Sequence, residues 1–381
     1  MINSKYSYLI SEILLSLLLT YYYLYHAFII LPIEIYTVSI GTIIMLLLFS
    51  LFVLIVSLRH YQTFSLIEYS LIFLLLLYSI LAAQHTEKIW FKNTYLYWGV
   101  FAVFIGIMMS RDKQIHPVVF WFPLVVVMVS LVIEFILYPE KAKDMRVFAM
   151  HRNVLPMIAT TFAMLITMNY AIQKKLHCKL SLLLPYLLVL VNYYSNSRAG
   201  LIIGIVYIFI IYGNHFYSVV LGKIRNNPNT RKRELLKIIV WLVLTTIFLS
   251  ILVANSRLVN EGLSGNGRVE IYTSFQEELH VSSAVTGFTP EVTKVVDHLH
   301  NSFLQLIAYA GLFSIPMFLI VLVVGVFYLL DKNFLVFFLG IICIYSLVEY
   351  YVFLKYGDLI LFPLIVFCFY DRSRKQNAKN T

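Results

Sequence analysis

The chain is poor in charge and in cysteine: of its 381 residues only 13% are charged and three are cysteine. So small a charged fraction leaves too little polar surface to cover a soluble core, which excludes a soluble domain. Cys178, Cys343 and Cys368 are widely spaced and two of them fall inside apolar blocks, so neither a disulfide framework nor a CxxC metal or redox site can be built. They read as packing residues. Also missing are a Gly-rich phosphate loop ending in Lys-Ser/Thr, a GxGxxG turn and an HExxH helix. What is present is apolar: 61% hydrophobic residues, with 28 Tyr and 29 Phe. They come in blocks of about 20 residues, the length of a helix that crosses a bilayer's hydrocarbon layer. The formal charge of +10 would point to nucleic acid in a soluble chain. In a membrane chain the positions of the basic residues matter more than their sum, and no nucleic-acid partner is expected.

The pattern predicts an all-α, polytopic integral membrane protein forming one transmembrane domain over residues 1–381. Twelve spans are expected at 7–25, 37–57, 64–83, 94–110, 116–138, 153–173, 179–194, 198–218, 236–254, 302–328, 333–353 and 357–370. The first block ends in Tyr21-Tyr22-Tyr23-Leu24-Tyr25 without a small-residue cleavage site, so it reads as a retained signal-anchor helix. With the N-terminus inside, alternate connections hold 18 of the 29 basic residues, densest at Arg231-Lys232-Arg233. Basic segments resist translocation, so both termini, including the basic tail at 371–381, are expected in the cytoplasm of a multi-pass inner-membrane protein. The cytoplasmic loops are too short for a nucleotide-sugar-binding domain. Any transferred group must then arrive already activated, on a lipid.

One connection is longer than a turn. Residues 255–300 form an extracytoplasmic loop in which Val269, Tyr272, Phe275 and Leu279 recur at helical spacing, opposite Glu270, Ser274, Glu277 and Glu278. An amphipathic helix resting on the outer membrane face is expected there.

Four polar groups fall at the predicted outer boundary: Arg152 before the sixth span, Arg198 in the turn before the eighth, Arg268 in the long loop and His300 at its end. Outward arginines oppose the positive-inside bias, so something must hold them there. A diphosphate would, because a guanidinium offers paired planar donors to phosphate oxygens and stays protonated. Three arginines could stabilise a lipid-linked diphosphate as a leaving group, and a histidine could take the proton of an attacking sugar hydroxyl. By position alone, an interfacial arginine fits lipid headgroups or helix-end carbonyls equally well, above all Arg152, which shares its loop with Lys141, Lys143 and Arg146. His298 and His300 are two apart and face different ways on a helix, and His300 is the nearer to the span. Glu34, Glu134, Glu349 and Asp358 also fall near the outer side, where they either pair with the arginines, orient sugar hydroxyls or mark the interface. Tyr193 and Tyr194 fit the interfacial aromatic belt.

The run Ser197-Arg198-Ala199-Gly200 opening a span is followed by Gly267-Arg268 with Ile271-Tyr272, then Thr286-Gly287-Phe288. After these come His298-Leu299-His300-Asn301-Ser302-Phe303-Leu304-Gln305 and Ala310-Gly311-Leu312. In order and spacing, and in the twelve-span plan, this resembles the O-antigen ligase and polymerase superfamily of bacterial envelopes. Thr286-Gly287-Phe288-Thr289 stands where many members carry a Gly-aromatic-Gly turn.

The resemblance implies a GT-C-like membrane glycosyltransferase with its active site facing the periplasm. Arg198, Arg268 and His300 would be its catalytic residues, and Arg152, Arg198, Arg268 and Asn301 would bind the diphosphate or glycan. It implies an inverting, metal-independent reaction with no cofactor, carried out by a monomer among membrane lipids. The donor would be a glycan on undecaprenyl diphosphate. The acceptor would be lipid A–core for an O-antigen ligase, or a growing lipid-linked glycan for the alternative, a repeat-unit polymerase. A polysaccharide transporter or flippase is a reading of another class. It fits less well, because no acid or base falls clearly at the centre of a span.

Overall fold

The computed structural model describes residues 4–29, 40–84, 89–112, 115–137, 146–147, 150–151, 153–220, 231–256, 268–279, 285, 287–290 and 299–380. Apart from a short antiparallel pairing of Arg146–Val147 with Met150–His151, the regular structure among them is helical. In apolar surroundings a chain must satisfy its backbone groups internally, and a helix does so within one segment.

Eight stretches are long and apolar enough to cross a membrane. They correspond to α1 (Ser4–Leu24), α2 (Ile40–His60), α3 (Leu66–Gln84), α5 (Val118–Leu137), α6 (Val154–Ile172), α8 (Arg198–His215), α9 (Arg231–Ala254) and the run of α11 (Ser302–Ala310) into α12 (Ile315–Leu330). Helices also stand at the other expected windows: α4 (Ile89–Asp112), α7 (Lys179–Tyr194), α13 (Val336–Val348) and α14 (Asp358–Asn380). Of these, α7 and α13 are apolar but shorter. Within the long loop lies α10 (Arg268–Glu278).

The chain divides into two compact units. One comprises Met1–Tyr23, Pro32–Pro123 and Gly265–Thr381; the other comprises Leu24–Leu31 and Leu124–Ser264.

In the first unit α14 lies along α4, over a core that includes Trp98, Phe101, Phe362 and Ile365. The span expected at 333–353 stops at Val348, and the chain then runs through a buried, non-helical segment before α14. Phe353 and Leu354 adopt left-handed backbone there, with φ of 63° and 68°, which non-glycine residues seldom do. Asp358 holds them: its carboxylate accepts from the backbone N–H groups of Phe353 at 2.7 Å, Leu354 at 2.6 Å and Lys355 at 3.0 Å. Irregular backbone is tolerated here because protein surrounds it.

At the other end of the unit, Arg111 pairs with Glu68 at 2.7 Å, and Asp112 meets both Arg59 at 2.6 Å and His60 at 2.9 Å. These contacts tie the ends of α2, α3 and α4 together.

In the second unit α6 is buried along most of its length and α7 packs on α8. Helix α9 joins them through aromatic contacts: Trp241 stacks on Tyr212 with centroids 4.5 Å apart, and the Tyr186 hydroxyl meets Thr245 Oγ1 at 2.6 Å.

Candidate functional site

In the first unit the site is built where α10, α11 and the end of α13 meet. Helix α10 lays Ile271 and Phe275 against Leu299 and Ala308, with Tyr272, Phe288, Leu304 and Ile307 packed around them. The apolar stripe is therefore turned from the expected one. Val269 is 71% exposed, because a residue two before Ile271 points to the opposite flank of the helix. The buried face of α10 meets protein.

Gly287 explains the Thr-Gly-Phe motif. Its φ is +87°, and a Cβ there would sit 2.5 Å from the Ala308 carbonyl oxygen. Only glycine allows this approach, which brings the Phe288 N–H to the same oxygen at 2.7 Å and the Phe288 ring to within 5.3 Å of Phe275. Gly287 and Phe288 thus fasten α10 to α11.

The His-Asn-Ser run opens α11, and each residue has a separate task. His300 has a φ of +51°, a strained conformation that persists where its surroundings impose it. Asn301 is the N-cap: its Oδ1 accepts from Phe303 N at 2.9 Å and Leu304 N at 3.1 Å, while its Nδ2 donates to the Leu347 carbonyl at 3.3 Å. Ser302 Oγ donates to the Glu349 carbonyl at 3.2 Å and accepts from Tyr351 N at 2.8 Å and Val352 N at 3.1 Å. Gln305 reaches back to accept from Leu299 N at 2.8 Å. Together these bonds fix the end of α13 beside the start of α11.

They also place Glu349. Its side chain, 3% exposed, accepts from Arg268 Nη2 on Oε1 at 2.9 Å and faces His300 Nδ1 with Oε2 at 3.3 Å. The arginine and histidine side chains are 30% and 28% exposed. A buried carboxylate with two open partners orients both. With the imidazole proton on Nδ1, directed at the carboxylate, Nε2 keeps a lone pair that can accept another proton.

In the second unit Arg198 begins α8. The turn before it is held by Ser197, whose Oγ accepts from Gly200 N at 3.2 Å and donates to Asn153 Oδ1 at 3.1 Å. Buried Asn192 donates from Nδ2 to the Gly200 carbonyl at 2.6 Å. A Cβ on Gly200 would lie 2.6 Å from Pro156 Cβ, so the glycine of the Ser-Arg-Ala-Gly run lets α8 start hard against α6. Arg198 itself is partly exposed and lines a recess with Asn196, Ser197, Leu201 and Ser256.

The structure therefore joins Arg268 and His300 through Glu349, gives Asn301 a capping task and sets Arg198 at a braced helix start in the second unit. Arg152, His298 and Glu34 lie outside the described residues. Glu349 stood in the sequence only as one of four acids near a boundary. The signal was an acid breaking an apolar run, Leu347-Val348-Glu349-Tyr350. Ser302 and Gln305 carried no signal beyond their place in the motif. Among the described residues no group of three or more His, Cys, Asp or Glu side chains is arranged to hold a metal ion. Compared with protein-family models, with curated proteins and with solved structures, the chain finds no match in any of the three.

Proposed function

We propose that the protein is an inverting glycosyltransferase that moves a glycan from undecaprenyl diphosphate to a sugar hydroxyl at the periplasmic face of the inner membrane. The observation that supports this reading is the Arg268–Glu349–His300 constellation: a guanidinium and an imidazole, each about 30% exposed, held by one buried carboxylate. In the reaction, His300 Nε2 takes the proton of the acceptor hydroxyl as its oxygen attacks the anomeric carbon. The bond from that carbon to the diphosphate oxygen breaks in the same displacement, which inverts the centre. Undecaprenyl diphosphate leaves with its added negative charge, stabilised by Arg268 and, as the family resemblance implies, by Arg198, with Arg152 as a further phosphate ligand. Guanidinium groups can do here what a divalent cation does in other transferases, so the scheme needs no metal.

The acceptor in this reading is lipid A–core, which makes the protein an O-antigen ligase. Deletion tests it. Loss of a ligase leaves long glycans on the lipid carrier and none on core, whereas loss of a polymerase leaves single repeat units on core. If envelope glycans are unchanged when His300→Ala and Arg268→Ala proteins reach the membrane at normal levels, the catalytic assignment is wrong.

A further inference from the structure

In the second unit two histidines meet that the proposed reaction does not use. One stands on the α6–α7 connection, which is tightly folded. Lys174 takes a left-handed φ of 58°, the Lys175 N–H donates to the Tyr170 carbonyl at 2.8 Å and the Cys178 N–H to the Lys175 carbonyl at 3.1 Å, while Leu176 is buried. His177 is therefore carried on a fixed turn, with its side chain partly exposed. Opposite it, α8 ends at His215 and continues as a π-helical turn over Phe216–Val220, so that His215 and Ser218, three residues apart, stand on one side. His177 Nδ1 lies 3.4 Å from His215 Nδ1, and His177 Nε2 lies 2.8 Å from Ser218 Oγ.

The hydroxyl fixes the tautomer. Ser218 Oγ has one proton and donates it to the Asn214 carbonyl at 2.6 Å, so towards His177 it accepts, and Nε2 carries the proton of the neutral ring. His177 Nδ1 then turns a lone pair towards the second imidazole. At 3.4 Å the two nitrogens are farther apart than in a good N–H hydrogen bond, about 2.7–3.2 Å. They stand instead at the separation of two ligands on one tetrahedral ion: with zinc–nitrogen bonds of about 2.0–2.1 Å, such nitrogens lie about 3.3–3.4 Å apart. Ligands at right angles, as on a square-planar or octahedral ion, would lie only about 2.9 Å apart. We propose that His177 and His215 bind a zinc ion through their Nδ1 atoms, with water filling its remaining positions. Ser218 is then the outer partner that orients a ligating imidazole by its other N–H. Lys174, Lys175 and Lys179 of the same connection are exposed, so solvent screens their charge from the ion. The two ligands are 38 positions apart, and the ion would clip the α6–α7 connection to the end of α8, stabilising the folded α7–α8 pair. This clip is independent of the transfer reaction proposed above.

The test uses the full-length, untagged protein in detergent, with zinc chloride as the probe and equilibrium dialysis followed by metal analysis. The wild-type chain is expected to show saturable zinc binding that excess magnesium does not displace, and zinc should raise its unfolding midpoint. His177→Gln and His215→Gln should each abolish that binding together with the shift, and Ser218→Ala should weaken it about tenfold. His116→Gln, at an exposed histidine of the first unit, should change neither. A second measurement needs no variant: in the wild-type chain zinc should protect His177 and His215, but not His116, from modification by diethyl pyrocarbonate, read peptide by peptide by mass spectrometry. Zinc binding that survives in both glutamine variants would overturn the inference. So would equal protection of His116, or an absence of saturable zinc binding to the wild-type protein.

Discussion

Among the described residues of the first unit are two arginine–carboxylate–histidine groups, one at each end, and they are built differently. Arg268, Glu349 and His300 have side chains 30%, 3% and 28% exposed. Arg59, Asp112 and His60 have side chains 10%, 3% and 11% exposed. Both groups centre on a buried carboxylate, so the acid does not distinguish them. The difference is what covers the cation. Arg59 lies 3.6 Å over the Tyr8 ring and donates to Ser11 Oγ at 2.7 Å, so α1 closes over it. Arg59 and His60 end one helix and Asp112 another, which makes that group a tie between helix ends. Arg268 and His300 stand at the starts of α10 and α11 and keep an open side. The same three side-chain types thus serve as a clasp where enclosed, and suit a reaction site where partly open.

The comparison breaks most sharply at the two histidines. His300→Ala is expected to lower glycan transfer by about 10²- to 10⁴-fold, the usual contribution of a general base. His60→Ala should leave the rate per folded molecule unchanged, as single-turnover assays on detergent-purified variants can read. Next come the ion pairs. Arg111 and Glu68 have side chains 4% and 1% exposed, and removing one partner of so enclosed a pair costs about 3–5 kcal/mol. Arg111→Ala should therefore lower the thermal unfolding midpoint far more than Arg268→Ala, whose pair is open to solvent on one side. Glu349→Gln sharpens the contrast. It should lower transfer while leaving protein levels near normal, whereas Asp112→Asn should lower protein levels and leave transfer per folded molecule unchanged.

The smallest effect concerns the second unit. Burial lowers the pKa of His177 below its ordinary 6.5, in the α6–α7 connection, where its Nδ1 faces His215 Nδ1 at 3.4 Å and its Nε2 meets Ser218 Oγ at 2.8 Å. Below about pH 6.5 the unfolded chain binds this proton more readily than the folded one, so stability is whole above that pH and declines as pH falls. His177→Gln should flatten the decline in unfolding midpoints measured across that range.

Much of the fold was legible because apolar runs of helical length leave the backbone few choices. Less legible was where helices stop inside apolar sequence. Residues 350–356 read as the end of a span, yet Asp358 gathers three of their N–H groups and holds Phe353 and Leu354 in left-handed backbone. A carboxylate four and five residues away does this, and hydropathy has no sign for it. The buried face of α10 was read through Val269 instead of Ile271 for a similar reason. Both Val269 and Ile271 are apolar, and only the packing on Leu299 and Ala308 decides between them. Of the site, Arg268 and His300 were legible because polar groups at a boundary stand out. The pairing through Glu349 was not, since it joins residues 81 and 49 positions apart. The capping task of Asn301, whose oxygen accepts from two N–H groups of α11, was not legible either.

The most direct test is transfer itself: purified protein, purified undecaprenyl-diphosphate-linked glycan and lipid A–core acceptor, with a chelator present. The account predicts glycan on the acceptor with the wild-type chain, and a loss with His300→Ala and Glu349→Gln proteins that remain folded. Equal transfer by those variants, or none by the wild type with either lipid A–core or a lipid-linked glycan as acceptor, would contradict it.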